Sequence, residues 1–100
     1  MDLLSCMEIL DIKPPRAAST IVEACVNAAQ QLGLESKVKN GDPGTIIRVY
    51  KTRLFPYLTL YFINEGPNKF LTSWRGLIPP QGTASSEEEQ QYLKIVSKYL

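Results

Sequence analysis

The most regular hydrophobic pattern in the chain lies between residues 17 and 32. Ile21, Cys25, Ala28 and Leu32 recur at intervals of three or four residues, which places them along one side of a helix. Polar residues fill the other side, and Gly33 stands where a helix-terminating glycine is expected. The pattern predicts an amphipathic helix that begins at residues 17–19, ends at Leu32 and packs its apolar stripe, including Cys25, into a core.

The middle of the chain changes to a two-residue alternation, which is typical of strands. Three strands are predicted, over Thr45–Arg53, Tyr57–Asn64 and Lys69–Leu77. A loop at residues 40–44 precedes them, and short segments containing Pro56 and residues 64–68 connect them. Because such short connections join antiparallel neighbours, the three strands are predicted to form a meander.

Helices are also predicted at both ends of the sequence. Leu3, Leu4, Met7 and Leu10 follow Asp2 at helical spacing, which predicts a short helix over the first ten residues.

The helix at the other end has a clearer start signal. After a break at residues 79–82, Ser85-x-x-Glu88 and Ser86-x-x-Glu89 both match the capping box. Tyr92, Leu93, Val96, Tyr99 and Leu100 then form its apolar stripe. We interpret the glutamates as capping residues that complement the helix dipole.

These elements predict one α+β domain covering residues 1–100, in the order α-α-β-β-β-α. Two amphipathic helices are enough to cover one side of a small sheet. The predicted architecture is therefore a two-layer sandwich, in which a three-stranded antiparallel meander is covered on one face by an N-terminal and a C-terminal helix.

Composition narrows the chemistry that the chain can perform. The sequence has no histidine, which removes the commonest general base and the commonest metal ligand. The acidic residues are scattered apart from the capping triplet, so we predict no catalytic residues, no metal, no cofactor and a non-enzymatic role. Cys6 and Cys25 are too few for a disulfide scaffold, and no apolar run is long enough to span a membrane. These features favour a cytoplasmic protein with free thiols that does not contact a membrane.

Charge is uneven along a chain whose net charge is only +1. Residues 35–75 carry seven basic and three acidic residues, a net of +4, whereas both flanking segments are net negative. If the apolar side of the meander faces the helices, its other side presents tyrosines among basic residues, together with Trp74 or Arg75. Tyr, Trp and Arg are enriched at binding hot spots. The predicted partner-binding residues are Arg48, Tyr50, Tyr57, Tyr61, Trp74 and Arg75.

The sequence therefore predicts a small binding or regulatory module that acts through protein–protein contact. Self-association as a homodimer, through the open sheet face or an exposed edge strand, is one form of this contact. The alternative is nucleic-acid binding by the same basic and aromatic face. A third interpretation is that tyrosine and threonine occupy these positions because they suit an exposed strand.

Overall fold

A computed structural model describes residues 4–12, 16–42, 44–53, 55–64, 69–76 and 82–100. Five strands and two helices follow one another in the order β-α-β-β-β-β-α. The elements are β1 (Leu4–Ile12), α1 (Ala18–Gln31), β2 (Glu35–Asn40), β3 (Gly44–Tyr50), β4 (Pro56–Ile63), β5 (Lys69–Gly76) and α2 (Ser86–Lys98). The strands form one antiparallel sheet in the order β1-β5-β4-β3-β2.

The predicted α+β class, the antiparallel meander and its two covering helices are confirmed. The inward residues of β3 and β4 alternate as their sequences require, and they form a single apolar cluster with the buried stripes of both helices. This cluster separates the helical layer from one face of the sheet and leaves the other face open. Its sheet residues include Ile47, Val49, Leu58, Leu60 and Phe62.

Both long helices have the end signals that the sequence predicts. Gly33 adopts a φ of 72° after α1, and the Leu34 N–H donates to the Ala29 carbonyl in a Schellman motif. At the start of α2, the Ser85 hydroxyl accepts from the Glu88 N–H at 3.2 Å, and the Glu88 carboxylate accepts from the Ser85 N–H at 3.0 Å. These local interactions fix where each helix stops or starts, independently of the core.

The two helices are also joined inside the core. The Tyr92 hydroxyl of α2 donates a 2.6 Å hydrogen bond to the backbone carbonyl of Cys25 in α1. Both residues are fully buried. This bond satisfies the one polar atom that the Tyr92 ring carries into an otherwise apolar layer.

The predicted N-terminal helix is wrong over its described residues, because Leu4–Ile12 form strand β1 against β5. A β-bulge between Cys6 and Glu8 inserts Met7 as an extra residue. A bulge shifts the two-residue alternation by one position, so the apolar spacing of this segment resembles that of a helix. The pairing also removes what would otherwise be an exposed edge of β5.

Strand β2 was not predicted from the sequence. Its segment Glu35–Asn40 contains a single apolar residue, Val38, and nearly all of it is exposed. A strand without a buried stripe lacks the alternation of apolar and polar residues by which a strand is recognised in a sequence. It forms because the chain returns alongside β3, where the two backbones pair. The loop predicted at residues 40–44 is confirmed at residues 41 and 42, whereas Asn40 ends β2 and Gly44 begins β3. Residue 43 lies outside the described residues.

The predicted loops at residues 65–68 and 79–81 lie outside the described residues. Only their ends are described, at Asn64 and Gly82.

Candidate functional site: the open face of the sheet

The open face is built from cross-strand rows that the sheet register defines. Residues opposite each other in antiparallel strands point to the same side. One row runs through Lys37, Arg48 and Thr59, and a second runs through Lys39, Ile46 and Tyr61. Glu35 and Tyr50 form the beginning of a third row. We use "open face" for Glu35, Lys37, Lys39, Ile46, Arg48, Tyr50, Thr59, Tyr61 and Ile63.

Three of the predicted binding residues, Arg48, Tyr50 and Tyr61, lie on this face and are partly exposed. The Lys37 ammonium lies 5.3 Å from the centroid of the Tyr50 ring, within the range of a cation–π contact. Lys37 and Lys39 are not among the binding residues predicted from the sequence. Their alternation with Val38 is the signal that would have found them, but it is readable only once the segment is known to be a strand.

The hydroxyl end of the Tyr61 ring lies against a glycine on the neighbouring strand. A Cβ placed on Gly44 would overlap the Tyr61 hydroxyl and the ring carbon that carries it. This end of the ring therefore covers the bare backbone of Gly44, an arrangement that stabilises glycine in sheets.

Replacing Gly44 with alanine is expected to destabilise the protein by about 1–3 kcal/mol, which is the usual cost of overpacking. The backbone of Gly44 does not have a positive φ, and the three atoms nearest to the added methyl group all belong to the Tyr61 side chain. Chemical denaturation of Gly44→Ala, Tyr61→Ala and the double variant measures this coupling. We expect the alanine to cost less than half as much when Tyr61 is absent, and an equal cost in both backgrounds would contradict the contact.

Tyr57 does not join the open face. A register shift makes Tyr57 the extra residue between two β3–β4 pairs, Val49 with Leu58 and Tyr50 with Pro56. Bulges redirect side chains, and the Tyr57 hydroxyl instead donates to the Glu88 carboxylate at the start of α2.

The surroundings of this contact shift both ionisable groups. Desolvation, and then the hydrogen bond to Glu88, raise the pKa of Tyr57. The hydrogen bond from Tyr57, then those from Ser85, lower the pKa of Glu88, with a further contribution from the charge of Lys51. The Lys51 ammonium lies 5.6 Å from the Tyr57 ring centroid. We interpret the contacts among Tyr57, Glu88, Ser85 and Lys51 as a link between the start of β4 and the start of α2. Glu88 therefore has a second role besides capping α2.

For Trp74 and Arg75 the structure describes the backbone, and so the register positions, but not the side chains. Trp74 is paired with Thr59, so its position belongs to the open face. Arg75 is the next residue along β5, and its position belongs to the face that the helices cover. The register thus resolves which of the two positions accompanies the tyrosines.

The open face is of moderate size. Its five strands contain six to nine residues each. With strands about 4.8 Å apart and about 3.3 Å per residue, they cover roughly 600 Å². A standard protein–protein interface buries about 800 Å² on each partner. The face therefore supplies most of a standard interface, and a partner of that size also contacts its surroundings.

Comparisons with other proteins add no relative from which a function could be inferred. No family model matches the chain, and neither the curated proteins nor the solved structures contain a match.

Two further observations bear on the kind of site. Within the described part of the chain, no three or more acidic or cysteine side chains gather in a cluster able to hold a metal ion. None of the helices in that part is both long and apolar enough to cross a bilayer.

Proposed function

We propose that this chain is a non-catalytic binding module that contacts another protein through the open face of its sheet. The observation that supports this proposal is the cross-strand arrangement of Arg48, Tyr50 and Tyr61, with the position of Trp74 beside them. These residue types supply large contact areas with little loss of side-chain freedom. Their support by Gly44 and Lys37 holds two of the rings in place before a partner arrives.

A double substitution, Tyr50→Ser with Tyr61→Ser, tests this proposal. Strand propensities span about 1 kcal/mol, so we expect a modest loss of thermal stability. Truncating hot-spot residues costs about 2 kcal/mol or more of binding free energy, so we expect partner binding or self-association to fall at least about thirtyfold. Thermal melts report the fold, and light scattering with titration calorimetry against a captured partner reports the contact.

Tyr99→Ser provides a matched control. Tyr99 is exposed on the helical side of the molecule, where its hydroxyl donates to Gln31, so the control removes a tyrosine away from the open face. Equal binding by both variants would eliminate the open face as the functional surface. A double variant that fails to fold would show that the tyrosines belong to the core.

Nucleic-acid binding is the second candidate, and the lysines of β2 are the observation that favours it. Lys37, Lys39 and Arg48 give the open face three basic groups beside its tyrosines. Glu35 lies on the same face, and Lys37 already occupies one side of the Tyr50 ring. Because Glu35 repels a phosphate backbone and Lys37 leaves only one side of the Tyr50 ring for a stacking base, the arrangement supports protein contact more strongly.

Salt dependence separates the two candidates. Three phosphate contacts to a single strand predict a slope of about −2 in log affinity against log salt, or about a twentyfold loss between 50 and 200 mM salt. Contacts anchored by tyrosine rings are expected to change far less. We expect little binding of a labelled oligonucleotide in a fluorescence-anisotropy titration at physiological salt. Tight binding with the steep slope would favour the nucleic-acid function instead.

A further inference from the structure

Among the described residues, strand β2 is an edge of the sheet, with a neighbouring strand on only one side. The strand order is β1-β5-β4-β3-β2, so β3 is the neighbour of β2 and no described strand lies beyond it. An edge strand presents a row of backbone N–H and C=O groups to which another chain can pair. Six residues, Glu35–Asn40, form this edge.

The hairpin shows which backbone groups face outward. The Gly41 N–H donates to the Gly44 carbonyl at 3.1 Å, which marks residues 41 and 44 as a hydrogen-bonded pair. Hydrogen-bonded and non-bonded pairs alternate along an antiparallel ladder. Lys39 and Lys37 therefore bond to β3, whereas the backbone groups of Asn40, Val38 and Ser36 point away from the sheet.

The side chains of β2 differ between the two faces of the sheet. Lys37 and Lys39 lie on the open face, and both are exposed. Val38 points to the covered face, where its register partner Ile47 is fully buried, yet Val38 itself is 37% exposed. A strand added here would meet two positive charges on one side and an uncovered apolar side chain on the other.

We propose that the β2 edge accepts an extended, acidic segment of a partner protein as a sixth, antiparallel strand. Its acidic side chains lie beside Lys37 and Lys39, and the apolar residue between them packs beside Val38. This inference rests on the proposed binding function and specifies the chemistry of the partner. A single strand needs no broad contact surface, because main-chain bonds along an edge supply affinity.

Charge argues for an acidic partner over a second copy of this chain. In an antiparallel ladder between two copies, a residue whose backbone groups point away from its own sheet pairs with a residue of the other copy whose groups also point away from its sheet. Antiparallel self-pairing centred on Val38 would place Lys37 opposite Lys39 of the other copy, and pairing centred on Lys37 would place the two Lys37 side chains together. Like charges directly opposite each other destabilise a sheet. Pairing centred on Ser36 would set Glu35 opposite Lys37, but it would join only residues 35–37 of each copy, because α1 ends shortly before β2 begins. An acidic strand can pair along residues 36–40 without these conflicts.

The test uses a fluorescein-labelled, end-blocked peptide of alternating glutamate and valine, seven residues long. In the proposed register, the valine amides face β2 and the glutamate amides face solvent. Methylation of the valine nitrogens is expected to reduce affinity at least about tenfold, since it removes the donors to the edge. Methylation of the glutamate nitrogens is the matched control and should change affinity less than about twofold.

Charge variants of the protein complete the test by fluorescence anisotropy. Lys39→Glu is expected to weaken binding of the unmodified peptide at least about threefold. Lys94→Glu changes the net charge equally at an exposed position on α2 and should have no effect. An alternating lysine and valine peptide should not bind to the protein.

Failure of this inference and failure of the proposed function have different signatures. The inference is overturned if the peptide does not bind, if both methylated peptides bind equally, or if glutamate methylation is the disruptive one. Concentration-dependent dimerisation that Lys39→Glu strengthens or weakens would also overturn it, in favour of a second copy at this edge. The open-face function survives each of these results if partner binding still requires Tyr50 and Tyr61.

Discussion

Aspartate in place of Leu60 or Val96 is expected to prevent the protein from folding. Both side chains are completely buried, one in the centre of β4 and the other in α2. A carboxylate there loses its hydration and gains no counter-charge, which costs several kcal/mol. Natural domains are stable by only about 5–15 kcal/mol, so either change removes a large part of the total. Circular dichroism and thermal melting measure the outcome.

Two aspartate variants on the same elements serve as controls. Ile63 follows Leu60 in β4 but is 53% exposed, and Gln91 lies in α2 on its exposed side. Ile63→Asp and Gln91→Asp are expected to retain a cooperative melt, since exposed positions tolerate charge. If Leu60→Asp and Val96→Asp melt like these controls, the inward and outward faces of both elements are assigned the wrong way round.

The Cys25 thiol is expected to react with a thiol reagent only after the protein unfolds. Burial raises the pKa of Cys25 to about 12, and the thiolate is the reactive form. At neutral pH the thiolate population is therefore about a thousandfold below that of an ordinary thiol. The surrounding core also excludes the reagent, so native labelling should proceed no faster than global unfolding.

A Cys6→Ala background restricts this measurement to one thiol. Mass spectrometry then follows labelling of Cys25 in native buffer and in guanidinium chloride, where the same thiol should react within minutes. Labelling of the native protein at the denatured rate would contradict the burial of α1 against the sheet. It would also make Cys25 a candidate reactive thiol, although none of its described neighbours activates it.

The predicted site was partly identifiable from sequence because alternation assigns neighbouring strand residues to opposite faces. Arg48, Tyr50 and Tyr61 follow that rule and lie on the open face. Tyr57 does not, because a bulge at the start of β4 turns it toward α2. A bulge depends on how two strands pair, and a single strand's sequence carries no sign of it.

The sequence by itself determined the elements whose signals are local. The stripe of α1 and its terminal Gly33, the Ser85 capping box and the alternation of β3 and β4 each act within a few residues. Their apolar sides also required two layers, since each must be buried against another element.

Only the tertiary structure decided the two edges of the sheet. The β1 segment forms a strand because β5 offers it a free edge, although its apolar spacing suits a helix. The polar β2 segment forms a strand because the turn returns it to β3. In both cases backbone hydrogen bonding to a neighbour outweighs the side-chain pattern. For this reason the described part of the sheet has five strands where local signals indicate three. The lysines that complete the open face lie on a strand that those signals do not reveal.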